Sequence, residues 1–248
     1  MIYNIKHITE YKYRFPATLC HNLICQGPGN FPDQEVIDYH CIIDPDPHIR
    51  TQRIDFFDNP IVYFSIEETH DHLVVQSDST IRVFEPNWAS LDPASTTPWE
   101  DVASWLLTTE AKNDTRQFYL ESPHVSFHRE IYDFAQISFS PRRPILEASL
   151  DLCSRIFQEF AFTPGFTEIS TPLESVFQHR KGVCQDFAHL ALSCLRSLGL
   201  AARYMSGYIE TIPPPGKPKL VGVDASHAWI AVYVPNSGWV ELDATNNK

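Results

Sequence analysis

Residues 182–190 read Gly182-Val183-Cys184-Gln185-Asp186-Phe187-Ala188-His189-Leu190. Cys184 follows a glycine turn and precedes an apolar helical pattern, so we expect it in the first turn of a helix or at its cap. The backbone N–H groups and the positive dipole end at a helix start favour a thiolate. A cysteine in this place is therefore predicted to be a nucleophile, with its base and orienting acid further along the chain.

The helix that follows Cys184 has an apolar face and is predicted to end at Gly199. That face consists of Phe187, Ala191, Cys194, Leu195 and Leu198. Cys194 lies in the middle of this face, so we expect an inert thiol. His189 is five residues after Cys184 and does not stack beneath it, which indicates a core or supporting histidine. The same helix geometry excludes a metal site made of Cys184, His189 and Cys194.

Three strands are predicted after this helix, at residues 201–209, 224–234 and 239–243. The proline-rich run 212–219 cannot join a sheet and is expected to be an exposed loop. His227 lies near the start of the second strand and Asp243 near the end of the third. Those two strand ends are neighbours if the strands form an antiparallel hairpin. His227 is then the candidate base, and Asp243 is the candidate acid that orients it.

The turn of this hairpin decides whether His227 and Asp243 share a face of the sheet. A loop of two or four residues without a bulge would place them on opposite faces. A three-residue loop, Asn236-Ser237-Gly238, with Gly238 in the left-handed region, would place them on one face. We predict such a loop or a bulge.

The rest of the chain divides into regions of different periodicity. Residues 1–86 contain short alternating strands separated by proline, glycine and asparagine turns, which predicts an all-β, sandwich-like domain. Residues 87–143, interrupted by prolines, are predicted to be a helical or irregular connector. From Ile145 a helical period begins, so residues 144–248 are predicted to form the catalytic core.

The pair His70 and His72 lacks a partner at a familiar spacing, so no metal and no cofactor are expected.

Composition and charge limit the kinds of partner. The 248 residues are 43% hydrophobic and 20% charged, with a net charge of −12, so binding to nucleic acid or to an anionic membrane is not expected. The sequence contains no stretch long enough to span a membrane, and residues 1–7 lack a signal-peptide pattern. We therefore expect a cytoplasmic protein whose six cysteines are free thiols.

Four ordered blocks closely resemble the bacterial transglutaminase-like family. They are residues 182–190, Ala202-Arg203-Tyr204-Met205-Ser206-Gly207-Tyr208, Ser226-His227-Ala228-Trp229, and Gly238-Trp239-Val240-Glu241-Leu242-Asp243-Ala244-Thr245-Asn246. The resemblance implies an α+β, papain-like thiol fold with helices packed on an antiparallel sheet. It carries the family's nucleophile onto Cys184, its base onto His227 and its orienting acid onto Asp243. Residues 1 to about 85 look like the β-rich N-terminal region that often accompanies this core.

The chemistry expected from these residues is acyl transfer through a thioester on a protein or peptide-like amide. The backbone N–H of Cys184 and one side chain would hold the oxyanion, and the candidates for that side chain are Gln178, Gln185 and Tyr204. Trp229 and Trp239 are expected to line the cleft or to fill the core. We favour a protease or amidase, because no second site for an amine is recognisable. A true protein transglutaminase and a non-catalytic binding module are the alternatives, and the oligomeric state stays open.

Overall fold

The structure is a computed structural model that describes residues 1–108, 110–111, 113–210 and 226–248. The chain divides into two compact units, Met1–Ala89 and Ser90–Lys248. The loop predicted at residues 212–219 and the first residues of the strand predicted from 224 lie outside the described residues.

The first unit, described throughout, consists of antiparallel strands. They are β1 (Ile2–Ala17), β2 (Cys20–Ile24), β3 (Gln34–Asp44), β4 (Ile49–Ile54), β5 (Pro60–Ile66) and β6 (His70–Val83). They form two three-stranded sheets, with the orders β1-β6-β3 and β2-β5-β4. The sequence patterns at residues 73–75 and 80–84 belong to one strand, because residues 76–79 pair with β1 on one side and with β3 on the other.

Side chains from both sheets share the core of this unit. Its buried members are Ile24, Cys41, Ile43, Val62, Phe64, Ile66, Leu73 and Val75. Exposure alternates along most of β1, as expected for a strand with one face toward a core and the other toward water. The sandwich-like domain predicted for residues 1–86 is therefore present.

The second unit contains the helices. They are α1 (Trp99–Leu106), α2 (Asn113–Arg116), α3 (Arg129–Ser138), α4 (Ile145–Glu159), α5 (Leu173–His179) and α6 (Cys184–Ser197). α6 is the central helix and packs against α3, α4 and α5. Of the helices in the described ranges, none has the length and apolarity needed to cross a bilayer.

Most of the predicted connector belongs to this second unit and is not a separate segment. α1 to α3 lie after residue 89, where the second unit begins. Val102, Ile131 and Ala135 are buried, and the Trp99 Nε1–H donates to the Ser140 carbonyl at 3.0 Å. The sequence predicted a helical or irregular connector but not the bounds of these helices. Each apolar stripe is short, and packing against the core determines the structure here.

The sheet of the second unit positions the candidate site. Its strands are β9 (Ala202–Gly207), β10 (His227–Val234) and β11 (Gly238–Leu242), in the order β11-β10-β9, all antiparallel. α6 packs against β9 and β10. A short parallel pair, β7 (Ala161–Phe162) and β8 (Lys181–Gly182), leads the chain into α6.

The hairpin between β10 and β11 has the predicted kind of turn. Val234 pairs with Gly238, which leaves a three-residue loop one position earlier than the predicted one. Gly238 has a φ of 82°, as expected, and Asn236 also lies in the left-handed region with a φ of 66°. With Ile230 opposite Leu242, this register puts His227 and Asp243 on one face of the sheet.

Candidate active site

Cys184 is the first residue of α6 and is half-buried. The preceding Val183 is the extended N-cap residue, and its N–H donates to Asp186 Oδ2 at 2.7 Å. The Thr167 hydroxyl donates to the same oxygen at 2.6 Å. A carboxylate at this position satisfies a free N–H and complements the helix dipole. Asp186 therefore fixes the peptide that presents Cys184, and its carboxylate is engaged in that role.

Gly182 makes this arrangement sterically feasible. A Cβ atom at residue 182 would lie 2.8 Å from both Cβ and Oδ2 of Asp186. Such a distance is inside van der Waals contact, so only glycine allows the strand and the capping carboxylate to approach this closely. The close approach of the Asp186 carboxylate is therefore the reason for a glycine at position 182.

His227 and Asp243 are joined by a short hydrogen bond. Nε2 of His227 lies 2.7 Å from Oδ2 of Asp243, and the two side chains are only 10% and 15% exposed. A hydrogen bond to an ionised partner is strengthened where little water competes with it. With Nε2 turned to the carboxylate, Nδ1 is the ring nitrogen that remains for proton exchange with a thiol.

The chain turn that follows β11 orients the Asp243 side chain. Its Oδ1 accepts the backbone N–H groups of Thr245 at 2.8 Å and Asn246 at 3.3 Å. The Asn246 side-chain amide donates to Oδ2 at 2.6 Å and also lies 3.4 Å from Nε2 of His227. We did not single out Asn246 from the sequence. The signal was the short polar turn after the strand, where an aspartate bonds to the backbone just beyond it.

Trp229 lies against His227. The two rings are nearly parallel, with centroids 5.9 Å apart, and the Trp229 Nε1–H donates to Glu241 Oε2 at 2.9 Å. On the neighbouring strand, a Cβ at Gly207 would lie 2.8 Å from the Trp229 ring. The indole is thus fixed by the Glu241 carboxylate and the close Gly207 backbone, and it covers one face of His227.

Trp239, the other aromatic residue predicted near the cleft, lies at the far end of the hairpin. It pairs across the strands with Tyr233 and packs edge-on against Tyr233 and Phe118. The Arg203 guanidinium sits 4.6 Å from its ring centre. Tyr233 is six positions further along β10 than His227, which corresponds to a distance of about 20 Å along the strand. The structure therefore places Trp229 beside the histidine, and Trp239 in an aromatic cluster elsewhere.

The three oxyanion candidates have different positions. Burial, followed by the charges of Cys184 and Asp186, raises the pKa of Tyr204 to about 12. Gln185 directly follows Cys184 and lines a cavity there. Gln178 is exposed on α5. Of the three, Gln185 is the neighbour of Cys184 in the chain, and Tyr204 is the one whose pKa responds to the charge of Cys184.

His189 and the buried cysteines of the second unit, Cys153 and Cys194, belong to the structure around the site. The His189 ring stacks on Tyr204 with centroids 5.1 Å apart, and burial, followed by the charge of His124, lowers its pKa to about 4. All six cysteines are free, as expected. Burial raises the pKa of Cys153 to about 12 and also raises that of Cys194, which keeps both thiols protonated. Within the described ranges, no three side chains of the His, Cys, Asp and Glu types converge on a metal position.

Comparison with known proteins gives two family matches that follow the two units. The bacterial transglutaminase-like N-terminal region matches residues 3–82, and the transglutaminase-like superfamily core matches residues 135–244. An uncharacterised protein of Mycobacterium tuberculosis is 38% identical over 256 residues, covering 99% of this chain and 79% of that protein. Both matches agree with the resemblance seen in the sequence.

Two further similarities concern proteins with a described activity. A protein-glutamine gamma-glutamyltransferase of Pseudomonas aeruginosa is 32% identical over 91 residues, which is 36% of this chain and 14% of that protein. The crystal structure of a candidate cysteine protease from Cytophaga hutchinsonii has a TM-score of 0.74 at 18% identity, covering 99% of this chain and 79% of that one. At that identity the structural likeness shows a common α+β fold. The family matches over both units and the 38% identical relative establish that the chain belongs to the bacterial transglutaminase-like family, within the transglutaminase-like superfamily.

Proposed function

We propose that the protein is a transglutaminase-like cysteine hydrolase that cleaves an amide bond in a protein or peptide-like substrate. The observation that carries the proposal is the buried 2.7 Å bond between His227 and Asp243, on the sheet against which the Cys184 helix packs. A nucleophile at a helix start, together with a histidine oriented by a carboxylate, is the arrangement that thiol-based acyl transfer needs.

In the first half of the reaction, the Cys184 thiolate attacks the carbonyl carbon of the amide, and a carbon–sulfur bond forms. The His227 imidazolium gives its proton to the amide nitrogen as the carbon–nitrogen bond breaks and the amine leaves. In the second half, His227 takes a proton from water, whose oxygen attacks the thioester. The carbon–sulfur bond breaks, the carboxylic acid leaves, and the Cys184 thiolate and the His227 imidazolium are restored. The proposal requires His227 Nδ1 to reach Cys184 Sγ.

The negative oxygen formed in each half would be held by the Cys184 backbone N–H and the Tyr204 hydroxyl. Tyr204 is proposed because its pKa responds to the charge of Cys184 and because a phenol is a hydrogen-bond donor at neutral pH. Gln185 is the second candidate because it adjoins the cysteine. The exposure of Gln178 on α5 gives it the least support.

Reactivity of the thiol separates an enzyme from a non-catalytic binding module. The experiment is alkylation with iodoacetamide at mildly acidic pH, with the modified residues mapped by mass spectrometry. Burial raises the pKa of Cys41, Cys153 and Cys194, so these thiols should react slowly. We expect Cys184 to be labelled first, and His227→Ala to slow its labelling while leaving that of the exposed Cys25 unchanged.

A result in which Cys184 reacts no faster than Cys194 would contradict the proposal and favour the binding module. For turnover, Cys184→Ser is the matched control, since it exchanges only sulfur for oxygen. It should abolish any amide cleavage by the purified protein.

Transfer to an amine is the second candidate function, and the similarity to the Pseudomonas aeruginosa gamma-glutamyltransferase favours it. The two outcomes differ only in what attacks the thioester. Products formed from one glutamine-containing peptide, with and without an added primary amine, can be compared by mass. Hydrolysis predicts the same carboxylic acid in both samples, whereas transfer predicts a new amide that contains the added amine.

A further inference from the structure

A cavity of about 320 Å³ lies on the face of α6 next to Cys184. α6 contributes Gln185, Asp186 and His189 to its wall. The opposite wall is formed by residues 169–174, which lead into and begin α5, and the remainder comes from residues 123, 124 and 126. None of the reaction steps above uses this cavity.

The cavity is within reach of a substrate bound at Cys184. Gln185 is the residue after Cys184. His189 lies about 7.5 Å from Cys184 along the helix axis, at 1.5 Å per residue. An extended peptide advances about 3.3 Å per residue. The cavity therefore faces the substrate residue one or two positions from the scissile amide.

The walls fit a long side chain with an apolar stem. Ile169, Pro172 and Leu173 supply apolar surface, and Glu174 adds a carboxylate at the start of α5. The volume is at the lower end of the range of ligand pockets, about 300–1,000 Å³, which suits one side chain better than a whole small molecule. Lysine and arginine side chains combine such a stem with a charged head.

The charges of the walls are negative. The Glu174 carboxylate is half-exposed. Its Oε1 lies 3.3 Å from Nδ1 of His128. The Asp186 carboxylate is already bound to Val183 and Thr167. His189 stays neutral at physiological pH because burial lowers its pKa to about 4. The described residues that line the cavity include no lysine or arginine.

We propose that this cavity is a substrate subsite that takes a lysine or arginine side chain of the residue adjacent to the scissile amide, with Glu174 binding the cationic head. The subsite rests on the proposed function, because it needs Cys184 as the place where the substrate reacts. It gives the enzyme a preference for basic peptides, which agrees with the net charge of −12.

Two alkylating reagents test the subsite on the intact protein. N-iodoacetyl-lysine amide and N-iodoacetyl-norleucine amide place the same electrophile at Cys184 and differ in the ammonium group. We measure the second-order rate of alkylation at Cys184 for each. The lysine reagent should react about twofold to fivefold faster, the gain expected from one partly exposed ion pair. In Glu174→Gln, the ratio of the two rates should fall to about one.

Glu168→Gln is the matched control, because it removes the same charge from the same loop at an exposed residue outside the cavity wall. It should leave the ratio as in the wild-type protein. Plain iodoacetamide should alkylate Cys184 in Glu174→Gln at the wild-type rate, which shows that the variant is folded around the thiol.

The outcomes separate this proposal from the proposed function. Equal rates for the two reagents, or a ratio that Glu174→Gln leaves unchanged, overturn the subsite while Cys184 remains the nucleophile. Poor reaction of Cys184 with iodoacetamide relative to the other cysteines overturns the proposed function. The ratio of rates is independent of the absolute rate at Cys184, so it tests the preference of the cavity in either case.

Discussion

Tyr204 is the one oxyanion candidate of the three whose side chain can ionise. Burial and the charges of Cys184 and Asp186 raise its pKa to about 12, so the hydroxyl remains a donor throughout the physiological range. A donor aimed at the developing oxyanion stabilises the transition state more than the bound substrate. The phenol is therefore expected to contribute to kcat and little to KM.

Tyr204→Phe tests this role with the removal of one oxygen atom. We expect kcat for amide cleavage to fall by about 100-fold to 1,000-fold, with KM nearly unchanged. Steady-state kinetics on one peptide amide provide the measurement. Tyr233→Phe is the control, since Tyr233 lies about 20 Å from His227 on the same sheet and should leave kcat near the wild-type value. An unchanged kcat in Tyr204→Phe would move the donor role to Gln185.

At the scale of elements, the junction between β8 and α6 holds the nucleophile. The Asp186 carboxylate binds Val183 and Thr167, and the missing Cβ of Gly182 leaves room for it. Three segments thus meet at one carboxylate, and the start of α6 is positioned by that contact more than by helix propensity.

Gly182→Ala should disrupt this junction. The new Cβ, 2.8 Å from Asp186, must displace the carboxylate, and we expect a loss of about 1–3 kcal/mol of unfolding free energy, as for an overpacked site. Alkylation of Cys184 should slow as well. Urea unfolding measures the first effect and mass spectrometry the second. Asp186→Gly removes the clashing atoms, so the double variant should be less destabilised than the sum of the two single variants.

The hairpin is the element that the sequence predicted best. The odd-numbered loop followed from one requirement, that His227 and Asp243 share a face, and the structure has such a loop with Gly238 at positive φ. Its exact position was wrong by one residue, because a three-residue loop at either position puts His227 and Asp243 on the same face.

The short helices between residues 99 and 138 were harder to predict, since their apolar residues become meaningful only against the surfaces they cover.

At the scale of the whole molecule, His189 links the site to the stability of the fold. Burial lowers its pKa to about 4 in the folded protein, against 6.5 for the ordinary group. The unfolded chain therefore binds a proton at a higher pH than the folded chain does. The stability associated with a neutral His189 is fully present above about pH 6.5 and is lost as pH falls through about pH 4.

His189→Gln should flatten this part of the acid profile. Between about pH 7.5 and about pH 4.5, we expect the wild-type protein to lose about 1 kcal/mol more unfolding free energy than the variant, once solvent screening of a half-buried ring is allowed for. Urea unfolding at the two pH values gives the comparison. The change with pH is the quantity to compare, because loss of the stacking on Tyr204 lowers stability at every pH. His179→Gln, at an exposed histidine, should retain the wild-type slope, and equal slopes in all three proteins would contradict the assignment.

The sequence by itself determined that Cys184 begins a helix, that His227 and Asp243 belong to one face of a hairpin, and that two regions of different periodicity accompany them. These features are local, since they depend on spacing, turn residues and helix ends. Only the tertiary structure decided that Trp229 and not Trp239 adjoins the histidine, that Asn246 binds the Asp243 carboxylate, and that Tyr204 stacks on His189. It also assigned the helices before residue 144 to the second unit. The physical reason is that burial and contact join residues far apart in sequence, and no local pattern records which of them will meet.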